Sequence, residues 1–132
     1  MKESPIFSKT YDFLLWLIPQ AQKFPRIHRF GLGERVVRKG LDLQETLIAA
    51  GLSTGGKRAD LLEQADIQLA QMRQSVRLCK DMDILTMSQY EHAAQMLVEI
   101  GRLLGGWQKA AFQTGQADRE ARAARRLVEQ QS

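Results

Sequence analysis

Cations, rather than nucleophiles, are the residues in this chain whose types and spacing point to chemistry. Arg35, Arg38 and Lys39 stand at i, i+3 and i+4, which gathers them on one face of a helix. Ahead of them, Lys23, Arg26, His28 and Arg29 occur in KFPRIHRF with no acid nearby. Further on, Arg73, Arg77 and Lys80 follow one another by steps of four and three, a second stripe. Cations without carboxylate partners bind a phosphate backbone through counterion release, and guanidinium groups are shaped for bidentate phosphate contact. Part of the charge is answered locally: Glu34 and Asp42 each lie four residues from Arg38, and Asp81 lies four from Arg77. A solvated face is the simpler use of either stripe alone; two stripes and a charged corner together bring nucleic acid into play. Phe24 and Phe30 flank the corner and offer rings for base stacking. Each also sits where an interhelical loop plugs the end of a bundle, and core packing is the expected use of both.

No pattern of catalysis accompanies these cations. His28 and His92 belong to different elements, Asp81 and Asp83 sit at a helix end with the character of solvated residues, and no Ser/His/Asp grouping can be built. CxxC, HExxH and the ExxH of di-iron bundles are missing, so no metal is expected. The glycine-rich GRLLGGWQK lacks both a preceding strand and the GxxxxGK[ST] spacing of a phosphate loop. The reading is of a protein with no enzymatic role, no cofactor and no small-molecule substrate. Cys79 is the single cysteine and cannot form an internal disulfide, which is consistent with a reducing cytoplasm. The longest apolar run, Phe13 to Ile18, has six residues, against roughly 20 for a membrane span. A cytoplasmic protein without membrane contact is expected. With 132 residues, 44% hydrophobic and 26% charged, the chain fits one ordered domain; its net charge of +4 and pI near 9.5 permit an anionic partner without requiring one.

Four helical segments must position the cations. The first spans about Ser4 to Gln22, with Ser4 as N-cap, Pro5 in the first turn, and Pro19 expected to kink or end it. The second opens after a Pro25–Gly33 corner and runs to Ala50, with Gly51 as its stop. After the connection STGGKR, the third covers about Ala59 to Met82; Ser88, or Thr86 before it, starts the fourth, where SQYE has the form of a capping box. Apolar residues alternate steps of three and four in three segments: Leu32, Val36, Gly40, Leu43, Leu47, Ala50; Leu62, Ala65, Leu69, Met72, Val76, Cys79; and Tyr90, Ala93, Leu97, Ile100, Leu104, Trp107, Ala111. Such seams on helices of about 20 residues joined by short loops describe an all-α, antiparallel up-down four-helix bundle over residues 1–112. Residues 113–132, rich in Ala, Arg and Glu, form a charged helical extension or tail with a solvated face. The first helix is expected to give the core Phe7, Tyr11, Leu14 and Ile18. Its surplus apolar residues, Phe13, Trp16 and Leu17, are then expected to meet a second copy of the protein. Gly101, Gly105 and Gly106 each cost about 1 kcal/mol inside a helix, and close approach of a neighbouring helix across Gly101 and Gly105 would offset that.

PIFSKTYDFLLWLIP, KFPRIHRFGLGERV and EIGRLLGGWQK, in this order and at these separations, resemble the Avd family, the accessory variability proteins of diversity-generating retroelements. The resemblance covers about Pro5 to Lys109, and the corner and the glycine-rich ending are its distinctive parts. It implies homopentameric barrels of four-helix bundles with a positively charged surface. It further implies binding to the retroelement's reverse transcriptase and template RNA (or RNA/DNA), in support of adenine-directed mutagenic cDNA synthesis, with no chemistry done by the subunit. On that footing Lys23, Arg26, His28, Arg29, Arg35, Arg38, Lys39, Arg73, Arg77 and Lys80 become the candidates for contacting RNA or reverse transcriptase, an assignment made from charge and periodicity. Two alternatives are a bundle protein of the ribosomal RNA intervening-sequence type, and a structural oligomer with no nucleic-acid role.

Overall fold

A computed structural model describes residues 4–131; residues 1–3 and 132, which the expected division into 1–112 and 113–132 includes, lie outside it. The elements are α1 (Pro5–Gln22), α2 (Arg26–His28), a π-helical turn (Arg29–Gly33), α3 (Glu34–Gly51), α4 (Gly55–Asp81) and α5 (Met87–Gln131). No strand occurs among the described residues. The four long helices pack in the cyclic order α1, α3, α4, α5, each against two neighbours. Consecutive helices run in opposite directions. Arg58 near the start of α4 bonds Ala50 at the end of α3, while Met72 lies opposite Gly40. Likewise Lys80 lies over Tyr90, and Gln108 reaches Leu62. No helix of the described residues is long and apolar enough to cross a membrane.

The three-four seams of α3, α4 and α5 form the core. Val36, Leu43, Leu47, Leu62, Leu69, Met72, Val76, Leu97, Ile100 and Leu104 are all buried, and Tyr90, Trp107 and Ala111 pack against them from the edge. Full burial of such side chains contributes roughly 1.5–3 kcal/mol each. Cys79 belongs to this core, and burial pushes its thiol up to about 11. Gly40 marks the tightest approach: a methyl group there would lie 2.8 Å from Leu14 Cδ2 and 3.2 Å from Leu17 Cδ2. Gly101 lies beneath Leu69 and the Arg73 guanidinium, which a methyl would strike. Gly105, expected to share that role, has open space above it, as does Gly106.

Helix α1 departs from expectation. Its buried residues are Ile6, Thr10, Phe13, Leu14, Leu17 and Ala21, whereas Tyr11 is 56% exposed and Phe7 and Ile18 are half-buried. Phe13 at 0% and Leu17 at 1% exposure lie inside the chain's own core and cannot serve as a contact between copies. Trp16, also expected to face a second copy, is half-buried, stacked beside Phe13 and tilted against His92 of α5. The stripe is turned by one residue because Thr10 and Ala21 fill core positions. Thr10 is accommodated there by donating its hydroxyl to the Ile6 carbonyl at 2.7 Å, which spares a buried polar group from going unpaired.

The ends of the helices explain the remaining differences. Ser4 takes the extended N-cap conformation before Pro5 but forms no side-chain cap. Pro19 does not stop α1, which continues to Gln22; Pro19 and Leu15 are both exposed, so the carbonyl that loses its donor is on the solvent side. Gly51 remains helical because Arg58 satisfies the end of α3, donating to the carbonyls of Ala50 (3.0 Å) and Gly51 (3.3 Å). The same guanidinium lies over Trp107, whose ring meets Phe7 edge-on, and the three close that end of the bundle. The capping box of α5 is Thr86–Gln89, not Ser88–Glu91: the Gln89 N–H donates to Thr86 Oγ1 and the Thr86 N–H to Gln89 Oε1. Asp83, with φ of 59°, turns the chain ahead of it. From Met87 the helix runs unbroken to Gln131.

Candidate nucleic-acid interface

The corner that joins α1 to α3 is helical nearly throughout, not the loop that its proline and glycines suggest. Its first turn is tightened by the Lys23 and Phe24 N–H groups, which donate to the carbonyls of Gln20 and Ala21. Phe24 thereby turns inward, 3% exposed, and plugs the bundle end as expected. Pro25 then starts a new helix, its carbonyl accepting the N–H groups of His28 (2.8 Å) and Arg29 (3.0 Å). Arg29–Gly33 adds one wide π turn that feeds directly into α3. Gly33 is buried between Phe24 and the Ala21 carbonyl, so the corner is fixed at both ends while its middle faces solvent.

Lys23, Arg26, Arg29, Arg35 and Arg38 are exposed along this path, and His28 and Lys39 are half-buried. Among the described residues, none of the Lys and Arg side chains in this set forms an ion pair. The expected local neutralisation of Arg38 by Glu34 and Asp42 does not take place; the three instead rim a shallow hollow of about 430 Å³ together with Gly31, Arg35 and Lys39. Two large apolar residues share the exposed side: Ile27 is 84% and Phe30 72% exposed. Phe30 therefore departs from its expected role as a core plug.

Antiparallel packing brings the C-terminal end of α4 to the same end of the bundle as the corner, but its three cations are differently placed. Arg73 lies across Gly101 of α5. Lys80 is held 3.3 Å from Asp81 and 4.6 Å above the Tyr90 ring. Arg77 is 3.8 Å from Asp81 with both side chains more than half exposed, a contact worth little in water. Of this stripe, Arg73 and Arg77 are exposed, Arg73 in none of the ion pairs and Arg77 with only a loose one, while Lys80 is engaged. Arg73 joins the corner and α3 in carrying uncompensated charge among the described residues. Asp81 was expected to answer Arg77; it answers Lys80 as well.

A second concavity, of about 800 Å³, lies at the opposite end between the first turn of α4 and the later half of α5, with Leu62, Trp107, Phe112, Arg58, Arg119 and Arg122 among its walls. Among the described residues no group of three His, Cys, Asp or Glu side chains is placed to hold a metal ion. No curated protein matches the chain. A family model described as bAvd-like matches residues 5–111, from the first turn of α1 to the partly buried Ala111 of α5. On the strength of that match over most of its length, the chain belongs to the bAvd-like family.

Proposed function

We propose that this protein is a non-catalytic accessory factor of a diversity-generating retroelement, which binds the element's reverse transcriptase and template RNA to support mutagenic cDNA synthesis. Membership of the bAvd-like family carries the reading. The cations of the corner and α3 that form no ion pair among the described residues support it physically, because exposed arginines not paired with carboxylates attract a polyanion and lose that attraction as salt rises. Self-association, as a homopentamer in this reading, would multiply the positive surface. Since Phe13 and Leu17 are core residues, the apolar groups left on α1 for contact between copies are Tyr11 and Leu15, 56% and 58% exposed.

Co-expression with the reverse transcriptase of a diversity-generating retroelement from the same genome, followed by affinity purification through the enzyme, tests the reading. The wild-type chain should copurify with enzyme and RNA as an oligomer of defined mass, and Arg26→Glu with Arg29→Glu should abolish the RNA component while helical content stays unchanged. Absence of copurification and of RNA binding at low salt would refute the proposal and favour a purely structural oligomer. Leu15→Glu is expected to lower the mass of the assembly, a change that light scattering detects.

A further inference from the structure

We infer that the corner takes an unpaired nucleotide, stacked on the ring of Phe30 and bordered by Ile27, with Lys23, Arg26, Arg29 and Arg35 placed for the flanking phosphates. The inference rests on the reading of this end as a nucleic-acid surface and adds to it a preference for single strands over duplex. Exposed apolar side chains scattered singly are ordinary; the arrangement of these two is not. Ile27 and Phe30 are three residues apart on the helical path through α2 and the π turn, and both are largely in solvent. They are interleaved in sequence with Arg26 and Arg29, which form no ion pair among the described residues. Meanwhile Phe24, six residues before Phe30, is buried. The fold thus buries one phenylalanine of this stretch and leaves the other facing water on a segment that also carries exposed Arg26 and Arg29.

Charge selects the occupant. A second protein surface or the apolar interior of a membrane would cover Ile27 and Phe30 only by desolvating the arginines around them, and two apolar side chains bury too little area to hold a helix on a bilayer. A single-stranded nucleic acid satisfies both components at once: its base offers a flat face to the ring, and its phosphates meet the guanidinium groups. A duplex keeps its bases stacked on one another and offers Phe30 no such face. The platform is also pre-organised, because Pro25 and the packed Gly33 fix the turn on either side and a phenylalanine loses little rotamer freedom on stacking.

Fluorescence anisotropy with a labelled oligouridine, a labelled oligothymidine and a labelled RNA duplex decides the matter, using the full chain. Phe30→Ala should weaken both single strands about 5- to 150-fold, the range spanned by loss of one stacked base. It should leave duplex affinity and the salt slope unaltered, and Phe30→Trp should retain single-strand binding. Arg26→Gln with Arg29→Gln should weaken all three probes and reduce the single-strand salt slope by about 1.4, at roughly 0.7 per phosphate contact. Unchanged single-strand affinity in Phe30→Ala, or equal losses on single strand and duplex, would overturn the assignment while leaving the general reading intact. A fall in assembly mass for Phe30→Ala would overturn it in favour of a contact between copies. If the wild-type chain binds none of the three probes, the reading beneath the inference fails with it.

Discussion

Substituting Gly40 by alanine sets two effects of similar size against each other, and the structure decides between them. Alanine gains about 1 kcal/mol over glycine within a helix. At Gly40, however, the new methyl would stand 2.8 Å from Leu14 Cδ2 and 3.2 Å from Leu17 Cδ2. Ordinary contact begins near 3.5 Å, so α1 and α3 must separate or a leucine must turn. Leu14 and Leu17 are 5% and 1% exposed, which leaves neither a free rotamer on the solvent side. Overfilling a packed site of this kind costs typically 1–3 kcal/mol. Met72 Cε, at 3.6 Å, can give way because its side chain is flexible. The expected net effect is a destabilisation of about 1 kcal/mol. Gly105→Ala provides the control: the same chemical change in the middle of α5, with nothing within 4 Å of the new methyl, should stabilise by about 1 kcal/mol. Urea denaturation followed by circular dichroism should therefore place the two midpoints on opposite sides of the wild type, with a gap of about 2 kcal/mol. Equal stabilisation by both would show that α1 and α3 do not approach at Gly40, and the packing described above would be wrong.

Phe13→Ala should destabilise the fold by about 3–5 kcal/mol, the range for a fully buried phenylalanine; an unchanged melting curve with a smaller assembly would return Phe13 to the surface. Cys79, buried and with its thiol raised to about 11, should resist a thiol-specific chromogenic reagent in the native protein near neutral pH and react in denaturant; rapid native labelling would contradict its burial. The Arg102 guanidinium bonds the Glu99 carboxylate at 2.7 Å and holds the Glu99 carboxyl below its ordinary value of 4.5. A lowered value means that folding favours the ionised form, so this contribution is full above the unfolded value and fades as acid protonates the folded carboxyl. Any stability difference between wild type and Glu99→Gln should accordingly persist at neutral pH and close as pH falls below 4.5; a difference that grows in acid would reverse the sign of the argument.

How much of this was legible in the sequence depended on how periodic each segment is. Helices α3, α4 and α5 carry polar residues on three sides, so the steps of three and four among Leu62, Leu69, Met72 and Val76, or Leu97, Ile100 and Leu104, admit one seam only, and all of these are buried. Helix α1 is apolar almost all round from Phe13 to Ile18, and two seams competed. The true one runs through Thr10 and Ala21, whose small or polar side chains conceal it. At the corner, proline and two glycines signalled a loop, but Pro25 opens a helical turn and both glycines lie within the π turn, where Gly33 packs against Phe24 while Gly31 stays exposed. The charged side of the candidate surface was readable because Lys23, Arg26 and Arg29 have no acid within reach along the chain. That Lys80 is already engaged was not, since Tyr90 approaches it only through the folding of α5.

The unbroken course of α5 fixes the direction in which its far end faces. Beyond Gly115, level with the start of α4 along the cleft, the helix extends roughly 25 Å further at 1.5 Å per residue. Because no hinge intervenes, the compass bearing of Leu127 and Val128 is locked to that of Leu97 and Leu104 in the interior. One residue inserted near Gln116 would swing that bearing by about 100° without disturbing the core, so the extension acts as a pointer whose aim is written in the number of residues along it.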